Sequence, residues 1–341
     1  MEKRQLNTLK SLLENPKKIV IIPHRNPDGD AMGSTLALQG FLNKMGHQAK
    51  VIAPNHFPHF LNWLPNSEKV IFFDQENEKA NQLLQQAEIV FTLDFNSFSR
   101  TGKEMQKTLE EINPTFIMID HHQQPDDYAQ FMISKTDTSS TCELVYDFIH
   151  LLDKPDLIDQ NIATCLYTGA MTDTGSFRFP STSSDTHRMI AHLIDEGANN
   201  AEIHQNIFDT KSPEQLKLLG VALNNLNILE EYKTAYISLS QKELDDHHYK
   251  KGDTEGIVNY GLSLEGIIFA VIFIENKEEN IIKISFRSKG DFDVNTFARE
   301  NFNGGGHKNA AGGRSFKSLE GTISDFENLL KNYSEQLKKE S

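Results

Sequence analysis

Asp120-His121-His122 directly follows the apolar run Phe116-Ile117-Met118-Ile119, so an acid and two imidazoles stand where a buried strand should end. Two further apolar runs end in the same residue types. Val20-Ile21-Ile22 leads into His24, Asp28 and Asp30, and Phe91-Thr92-Leu93 leads into Asp94. Another acid, Asp173, follows a helical pattern. Such a set of carboxylates and imidazoles is enough to hold two divalent ions. Paired ions about 3.5–4 Å apart stabilise the attacking and leaving oxygens of a displacement at phosphorus and activate water at neutral pH. The mixed donors suit Mn²⁺ or a similar ion better than Ca²⁺ or a thiolate zinc centre. Hydrolysis by that route needs no Ser, Cys or Lys nucleophile.

Each signal also has an ordinary explanation. Asp and Gly are common turn formers, so Asp28-Gly29-Asp30 alone fits a solvated loop. Asp94 alone fits a helix cap, and spacing does not distinguish it from Asp74, which ends the run Val70-Ile71-Phe72-Phe73. His121 and His122 fit a polar loop, and Asp173 fits the last turn of a helix. The functional reading rests on matched ligand types after three separate strands.

Those strands need a scaffold. Short β-rich runs at 18–22, 50–53, 69–73, 88–93 and 115–119 alternate with helix-forming segments at 32–45, 76–86 and 103–112. Alternation of this kind predicts an α/β fold, a parallel sheet with helices on both faces. Ligands of such sheets gather beyond the carboxyl ends of the strands. Ser140-Thr141-Cys142-Glu143 reads as a capping box opening a helix to about residue 152. A helix over 157–171 would deliver Asp173. From 184 to 231 the chain turns helical and polar, interrupted at Gly197 and restarting at Ser212-Pro213. Strand patterns return at 234–239, 267–274 and 281–287, followed by a helix at 294–301 and a glycine-rich run. The expected organisation is a catalytic domain over 1–184, a helical connector over 185–231 and a smaller α+β domain over 232–341.

Composition narrows the classes of partner. A chain of 341 residues suggests about two domains. Its net charge of −14 opposes a broad surface for duplex nucleic acid, which relies on many Lys and Arg contacts to phosphate. A short anionic substrate held by ions and a few arginines remains compatible. Two cysteines, Cys142 and Cys165, without CxxC spacing point to a reducing compartment. The segment from Met1 to Leu6 mixes acids and bases and lacks the apolar core of a signal peptide. The longest apolar stretch, 266–274, is far short of the ~20 residues that span a bilayer. A cytoplasmic protein with no membrane partner is the expectation.

Residues after 280 bear on substrate binding. Gly304, Gly305 and Gly306 before His307 would let successive backbone N–H groups approach an anion, although a tight structural turn uses the same residues. No Gly-Lys-Ser/Thr follows, so this is not a phosphate loop of the triphosphatase type. Arginine's fork matches phosphate bidentately. Arg287 at a strand end and Arg178 beyond Asp173 are the first candidates, followed by Arg100 and Arg314. Any of these arginines also fits a solvated surface.

The motifs His24-x-x-x-Asp28-x-Asp30, Asp94, Asp120-His121-His122 and Asp173 resemble, in order, the four motifs of the DHH phosphoesterase superfamily. The run from Gly304 to Gly313 resembles the signature of its DHHA1 substrate domain. The compact size is similar to the branch that hydrolyses nanoRNA and pAp. The resemblance implies that His24 and Asp28 bind one ion, that Asp30, His121 and Asp173 bind the other, and that Asp94 bridges them. It implies that His122 touches the phosphate or assists the leaving group, and it removes Asp74 from the ligand list. Gly304–Gly306 and His307 would face substrate across an interdomain cleft. The implied cofactor is a pair of Mn²⁺ ions, with Mg²⁺ or Co²⁺ as substitutes. The implied activity is hydrolysis of short oligoribonucleotides and of the 3′-phosphate of pAp by water activated between two metals. Linear or cyclic dinucleotides such as pApA or c-di-AMP are the alternative substrates, and a catalytically silent nucleotide sensor is the alternative class. The expected partner is a short single-stranded RNA or a nucleotide rather than a long duplex, with homodimerisation left open.

Overall fold

A computed structural model describes residues 3–250 and 252–339. Met1, Glu2, Lys251, Glu340 and Ser341, which fall within the expected domain bounds, lie outside the described residues. The chain divides into two units, one ending at Thr210 and the other starting at Lys211.

In the first unit, six strands form one sheet: β1 (Lys18–Ile22), β2 (Gln48–Ala53), β3 (Ile71–Phe72), β4 (Ile89–Leu93), β5 (Thr115–Asp120) and β6 (Phe131–Ser134). All pairings are parallel, in the order β3-β2-β1-β4-β5-β6. The helices are α1 (Lys3–Leu12), α2 (Gly29–Lys44), α3 (Asn77–Gln86), α4 (Lys103–Glu111), α5 (Thr141–Leu151), α6 (Gln160–Asp173), α7 (Ser184–Asp195) and α8 (Asn200–Phe208). Residues of β1 alternate between two cores, as a strand buried on both faces requires. Ile19 and Ile21 pack with Leu36, Phe41, Phe148 and Leu166 from α2, α5 and α6. Val20 and Ile22 pack with Ala80, Leu84, Met105 and Leu109 from α3 and α4. Helices therefore cover both faces, and the α/β expectation stands.

Local chemistry explains the main departures. Strand β3 is two residues long because Ser67–Lys69 closes into a 3-10 turn before it. Strand β6 is short and edge-placed, and its run 131–134 was too brief to be expected as a strand. Ser140 caps α5 by accepting from the Glu143 amide at 3.1 Å, but the reciprocal half of the expected box is missing. Glu143 instead accepts from the Ser139 amide and the Thr186 hydroxyl.

The second unit is a mixed sheet of β7 (Asn227–Leu229), β8 (Thr234–Leu239), β9 (Phe269–Asn276), β10 (Ile281–Ser288), β11 (Gly305–His307) and β12 (Ala310–Ser315), in the order β11-β12-β10-β9-β8-β7. Only β8 and β9 run parallel. Its helices are α9 (Pro213–Asn224), α10 (Gln241–Asp246), α11 (Val258–Leu262), α12 (Val294–Asn301) and α13 (Leu319–Lys339). A phenylalanine-rich core joins one sheet face to α12 and α13 through Phe269, Phe286, Phe297 and Phe326. Leu218, Leu244 and Val258 pack on Ile237 and Ile272 of the other face.

The stretch 185–231 is not a separate body. Met189, Leu193 and Ile203 belong to the first unit's core, whereas Leu218 and Ala222 belong to the second unit's. Its polar faces concealed these short apolar stripes. Ser212 and Pro213 do start α9, with the Ser212 hydroxyl accepting from the Gln215 amide.

Candidate active site

The strand order brings the chemistry together. Chain order reverses at β1, which has β2 on one side and β4 on the other, and a crevice opens at such a switch point. His24 follows β1, Asp94 follows β4 and His121 follows β5, so three neighbouring strands present their ends to one spot. Asp74 follows β3 at the far edge of the sheet and is exposed.

Two helices supply the remaining acids. Asp28 caps α2, its Oδ1 accepting from the Asp30 and Ala31 amides at 3.1 Å each. Asp30 lies in the first turn of that helix, and Asp173 is the last residue of α6. Small residues let α2 approach α6 closely. A Cβ on Gly33 would lie 2.5 Å from the Cys165 carbonyl oxygen, and one on Gly29 would strike Thr172.

Around Asp94 the donor atoms form two groups. Its Oδ2 lies 3.4 Å from His24 Nε2, which is 3.9 Å from Asp28 Oδ2. Its Oδ1 lies 3.4 Å from His121 Nε2, which is 3.8 Å from Asp30 Oδ2 and 3.6 Å from Asp173 Oδ2. These spacings exceed those of good hydrogen bonds. They match ligand atoms arranged about ions with bonds of about 2.0–2.2 Å. His24, Asp28 and Asp94 form one cluster able to hold an ion, and Asp30, Asp94 and His121 form another. His24 Nδ1 lies 2.9 Å from the Arg25 carbonyl, an arrangement that aims Nε2 at the carboxylates. The donor chemistry thus fits two divalent cations.

Electrostatics agree with that fit. Burial, together with repulsion from Asp94 and Asp173, holds Asp30 well above the usual carboxylate range. Burial also raises Asp173, to about 6, against the pull of His121. Asp94 goes the other way. Burial opposes its ionisation, but the adjacent His121 and His24 rings hold it well below the ordinary range. Burial would lower His121, yet Asp94 and Asp173 outweigh it and hold the ring well above its ordinary value. His24 is likewise raised, since Asp94 and Asp28 outweigh burial. Without ions, these protons offset acids packed too closely to be fully charged together.

Residues outside the expected ligand set brace it. The first two amides of α5 grip Asp30, Thr141 N donating to Oδ2 at 2.7 Å and Cys142 N to Oδ1 at 2.9 Å. The Thr141 hydroxyl donates to Asp94 Oδ1 at 3.0 Å. Asp94 has φ +63°, a left-handed conformation that Asp tolerates better than most residues. Asp120 is fully buried and accepts from His122 Nδ1 at 2.8 Å, which fixes the orientation of the His122 ring. The signal for Thr141 was the helix start already visible at Ser140. Its distance of 111 residues from Asp30 hid the contact.

The other candidates are placed as follows. The Arg100 carbonyl accepts from the Arg25 amide at 2.8 Å, and the Arg100 charge is felt at His24. Arg178 is exposed and folds back, its Nε donating to the Gly175 carbonyl at 2.8 Å. In the second unit, Arg287 on β10 pairs with Ala310, which pairs with His307 on β11. Arg314 is exposed on β12. The glycine run is a hairpin rather than an open anion loop. The Gly306 amide donates to Asn295 Oδ1 at 3.0 Å and the Gly304 amide to the Ala298 carbonyl at 3.1 Å, so neither is free for an anion. Glycine is required because a Cβ on Gly304 would strike the Gly312 carbonyl, and because Gly306 has φ +152°.

Fold and site define a hydrolase acting on phosphate esters. A model of the DHH family N-terminal domain matches residues 18–170, and a model of the DHHA1 domain matches residues 231–339. The chain is 30% identical to the bifunctional oligoribonuclease and PAP phosphatase NrnA of Thermus thermophilus, over 86% of this chain and 83% of that one. It is 27% identical to the protein of the same name from Bacillus subtilis, over 92% and 95%. A crystal structure of an exopolyphosphatase-related protein from Bacteroides fragilis superposes with a TM-score of 0.94 at 38% identity, covering 99% of this chain and 98% of that one. The chain belongs to the DHH family and carries a DHHA1 domain. No helix among the described residues is long and apolar enough to cross a membrane.

Proposed function

We propose that this protein is a Mn²⁺-dependent phosphoesterase that hydrolyses short oligoribonucleotides and removes the 3′-phosphate of pAp. One observation carries the reading: the two carboxylate oxygens of Asp94 face different donor groups, His24 with Asp28 and His121 with Asp30 and Asp173. His24, Asp28 and Asp94 would hold one ion, and Asp30, Asp94, His121 and Asp173 the other. Such ions, when bound, acidify water and offset charge developing at phosphorus.

The chain's own groups do the rest. Asp30 and Asp94 are kept in register by Thr141 and Cys142, so their spacing survives when substrate enters. His122 donates through Nδ1 to Asp120, which orients Nε2 to meet a phosphate oxygen or protonate the leaving oxygen. Arg287, His307 and the glycine hairpin would receive the nucleotide, with Arg100, Arg178 and Arg314 as further phosphate contacts. The names of the relatives support nucleotides and short RNA as the substrate class. A cytoplasmic setting suits two buried thiols, Cys142 and Cys165, that form no disulfide.

A panel assay tests this. The purified protein with Mn²⁺, Mg²⁺ or Co²⁺ is given pAp, di- to pentaribonucleotides, pApA, c-di-AMP and polyphosphate. Fastest turnover of pAp and short RNA with Mn²⁺ is expected. Preference for pApA or c-di-AMP would move the assignment to the dinucleotide phosphodiesterases, and binding without turnover under every metal would make it a sensor.

A further inference from the structure

Asp120 ends β5, and His121-His122 open a stretch without helix or strand that lasts until β6 begins at Phe131. Gln124, Pro125, Asp126 and Asp127 in that stretch are exposed. A polar loop with little apolar burial does not hold itself in place, so its neighbours must fix where it starts.

The short segment after β4 does so. Before the two histidines, the Asp94 amide donates to the Ile119 carbonyl at 3.1 Å. After them, Asn96 Nδ2 donates to the Gln123 carbonyl at 2.6 Å, and the Asn96 carbonyl accepts from the Asp126 amide at 2.8 Å. Residues 94–96 thus bracket His121 and His122 from both sides. Phe95, between the two anchors, is fully buried with Leu84 of α3 and Met105 of α4, so the bracket is itself fixed. The far end of the loop is tied separately. The Tyr128 hydroxyl lies 2.8 Å from Thr92 Oγ1, and Gln130 Oε1 accepts from the Phe116 amide at 2.6 Å. Those contacts lie well beyond His122 and set the approach to β6 instead.

The Asn96 side-chain contact has one direction. A carbonyl oxygen only accepts, so the side chain must present an N–H, and an aspartate of the same shape would set oxygen against oxygen. The two histidines differ in what surrounds them. His121 Nε2 has carboxylates of Asp30, Asp94 and Asp173 within 4 Å. His122 stands one residue further from the strand, next to the residue whose carbonyl Asn96 holds.

We propose that Asn96 is a positioning residue: by holding the main chain just after His122, it keeps that ring on Asp120 and aimed at the reacting phosphate. The inference rests on the proposed phosphoesterase activity, in which His122 meets a phosphate oxygen or protonates the leaving oxygen. It adds the group that sets His122 in place. Without the Asn96 amide, the Asp94–Ile119 bond still holds the strand end, so His121 stays among the carboxylates while His122 drifts. A misplacement of about 1 Å can cost ~100-fold in rate.

The test uses the full-length protein with Asn96→Ala, Asn96→Asp, His122→Ala and the Asn96→Ala/His122→Ala pair, assayed with Mn²⁺ on pAp and diribonucleotides. Asn96→Ala lowers kcat by about tenfold to a hundredfold and leaves KM within about twofold. Asn96→Asp, which keeps the shape and loses the N–H, matches or exceeds that loss. Mn²⁺ raises the Tm of Asn96→Ala as it does that of the original protein. Because Asn96 acts through His122, adding Asn96→Ala to His122→Ala costs no further rate. Unchanged kcat in Asn96→Ala, losses that multiply in the pair, or a lost Mn²⁺ response overturns the proposal. Hydrogen exchange supplies a readout that needs no turnover. Peptides covering 121–127 exchange faster in Asn96→Ala, while those of β4 and β5 keep their protection. Equal exchange overturns the proposal even where His122→Ala is too slow to assay. An original protein that turns over no substrate sinks the proposed function, and the exchange result then decides by itself whether Asn96 holds the segment.

Discussion

Gly169 of α6 packs against Asp30 of α2: a Cβ built on the glycine would lie 3.0 Å from the Asp30 Cα and 3.1 Å from its Oδ1, and would strike the Cys142 sulfur. The helix contact and the acidic cluster are thus one piece of structure. Asp30 is placed by a neighbour with no side chain and is gripped from a third helix by the amides of Thr141 and Cys142.

Gly169→Ala should therefore damage both stability and site. Overpacking a close helix contact costs about 1–3 kcal/mol. Urea denaturation should show a lower midpoint, and activity per folded molecule should fall because Asp30 is displaced. An alanine variant with the original midpoint and activity would mean that the helices are not in this contact.

Asp94→Asn keeps the volume and removes the charge shared by both donor groups. Mn²⁺ should raise the Tm of the original protein, because binding to the native state alone stabilises it. That rise should shrink sharply in Asp94→Asn, and turnover should drop by orders of magnitude. Asp74→Asn, at the exposed far edge, should leave stability within ~0.5 kcal/mol and the metal response intact.

Metal affinity should increase with pH. His24, His121 and Asp30 are raised, and Asp173 titrates at about 6, so the metal-free site carries protons near neutrality. A cation needs these groups deprotonated, so binding is weak below pH 6 and strengthens as pH rises through and above it. Calorimetry at pH 7 in buffers of different ionisation enthalpy should detect proton release on Mn²⁺ binding. No release, with affinity flat from pH 5.5 to 8, would contradict these shifts.

Thr141→Val removes the hydroxyl that holds Asp94 Oδ1 while nearly keeping the side chain's shape. The expected result is a lower kcat with little change in KM for pAp and a weaker Mn²⁺ response, both restored by Thr141→Ser. A KM effect alone would place Thr141 in substrate binding rather than in holding Asp94.

Much of this was legible in the sequence. The expected segments 18–22 and 294–301 match β1 and α12 residue for residue, because a short apolar run and an amphipathic helix with an Asp cap specify themselves locally. His24, Asp28, Asp30, Asp94, His121 and Asp173 stood out by residue type after apolar runs or a helix, with the family resemblance separating Asp94 from Asp74, and their donor atoms lie within 4 Å of a neighbour in the set. The short strands β6, β7 and β11 were not expected, since each gains its hydrogen bonds from a neighbour rather than from its own pattern. The glycine run fitted either amides turned to an anion or a tight structural turn, and in the structure Asn295 and Ala298 accept from two of its amides.

Sequence alone determined which atoms were available: imidazoles and carboxylates after apolar runs, and glycines where no side chain fits. Only the tertiary structure decided which of them meet. Asp74 and Asp94 are equivalent along the chain, and they separate because β3 lies at the sheet edge while β4 lies beside β1. Thr141 acquires its role only when α5 points its first amides at α2. Strand order and helix packing are set by burial summed over the whole unit, and no local pattern encodes that sum.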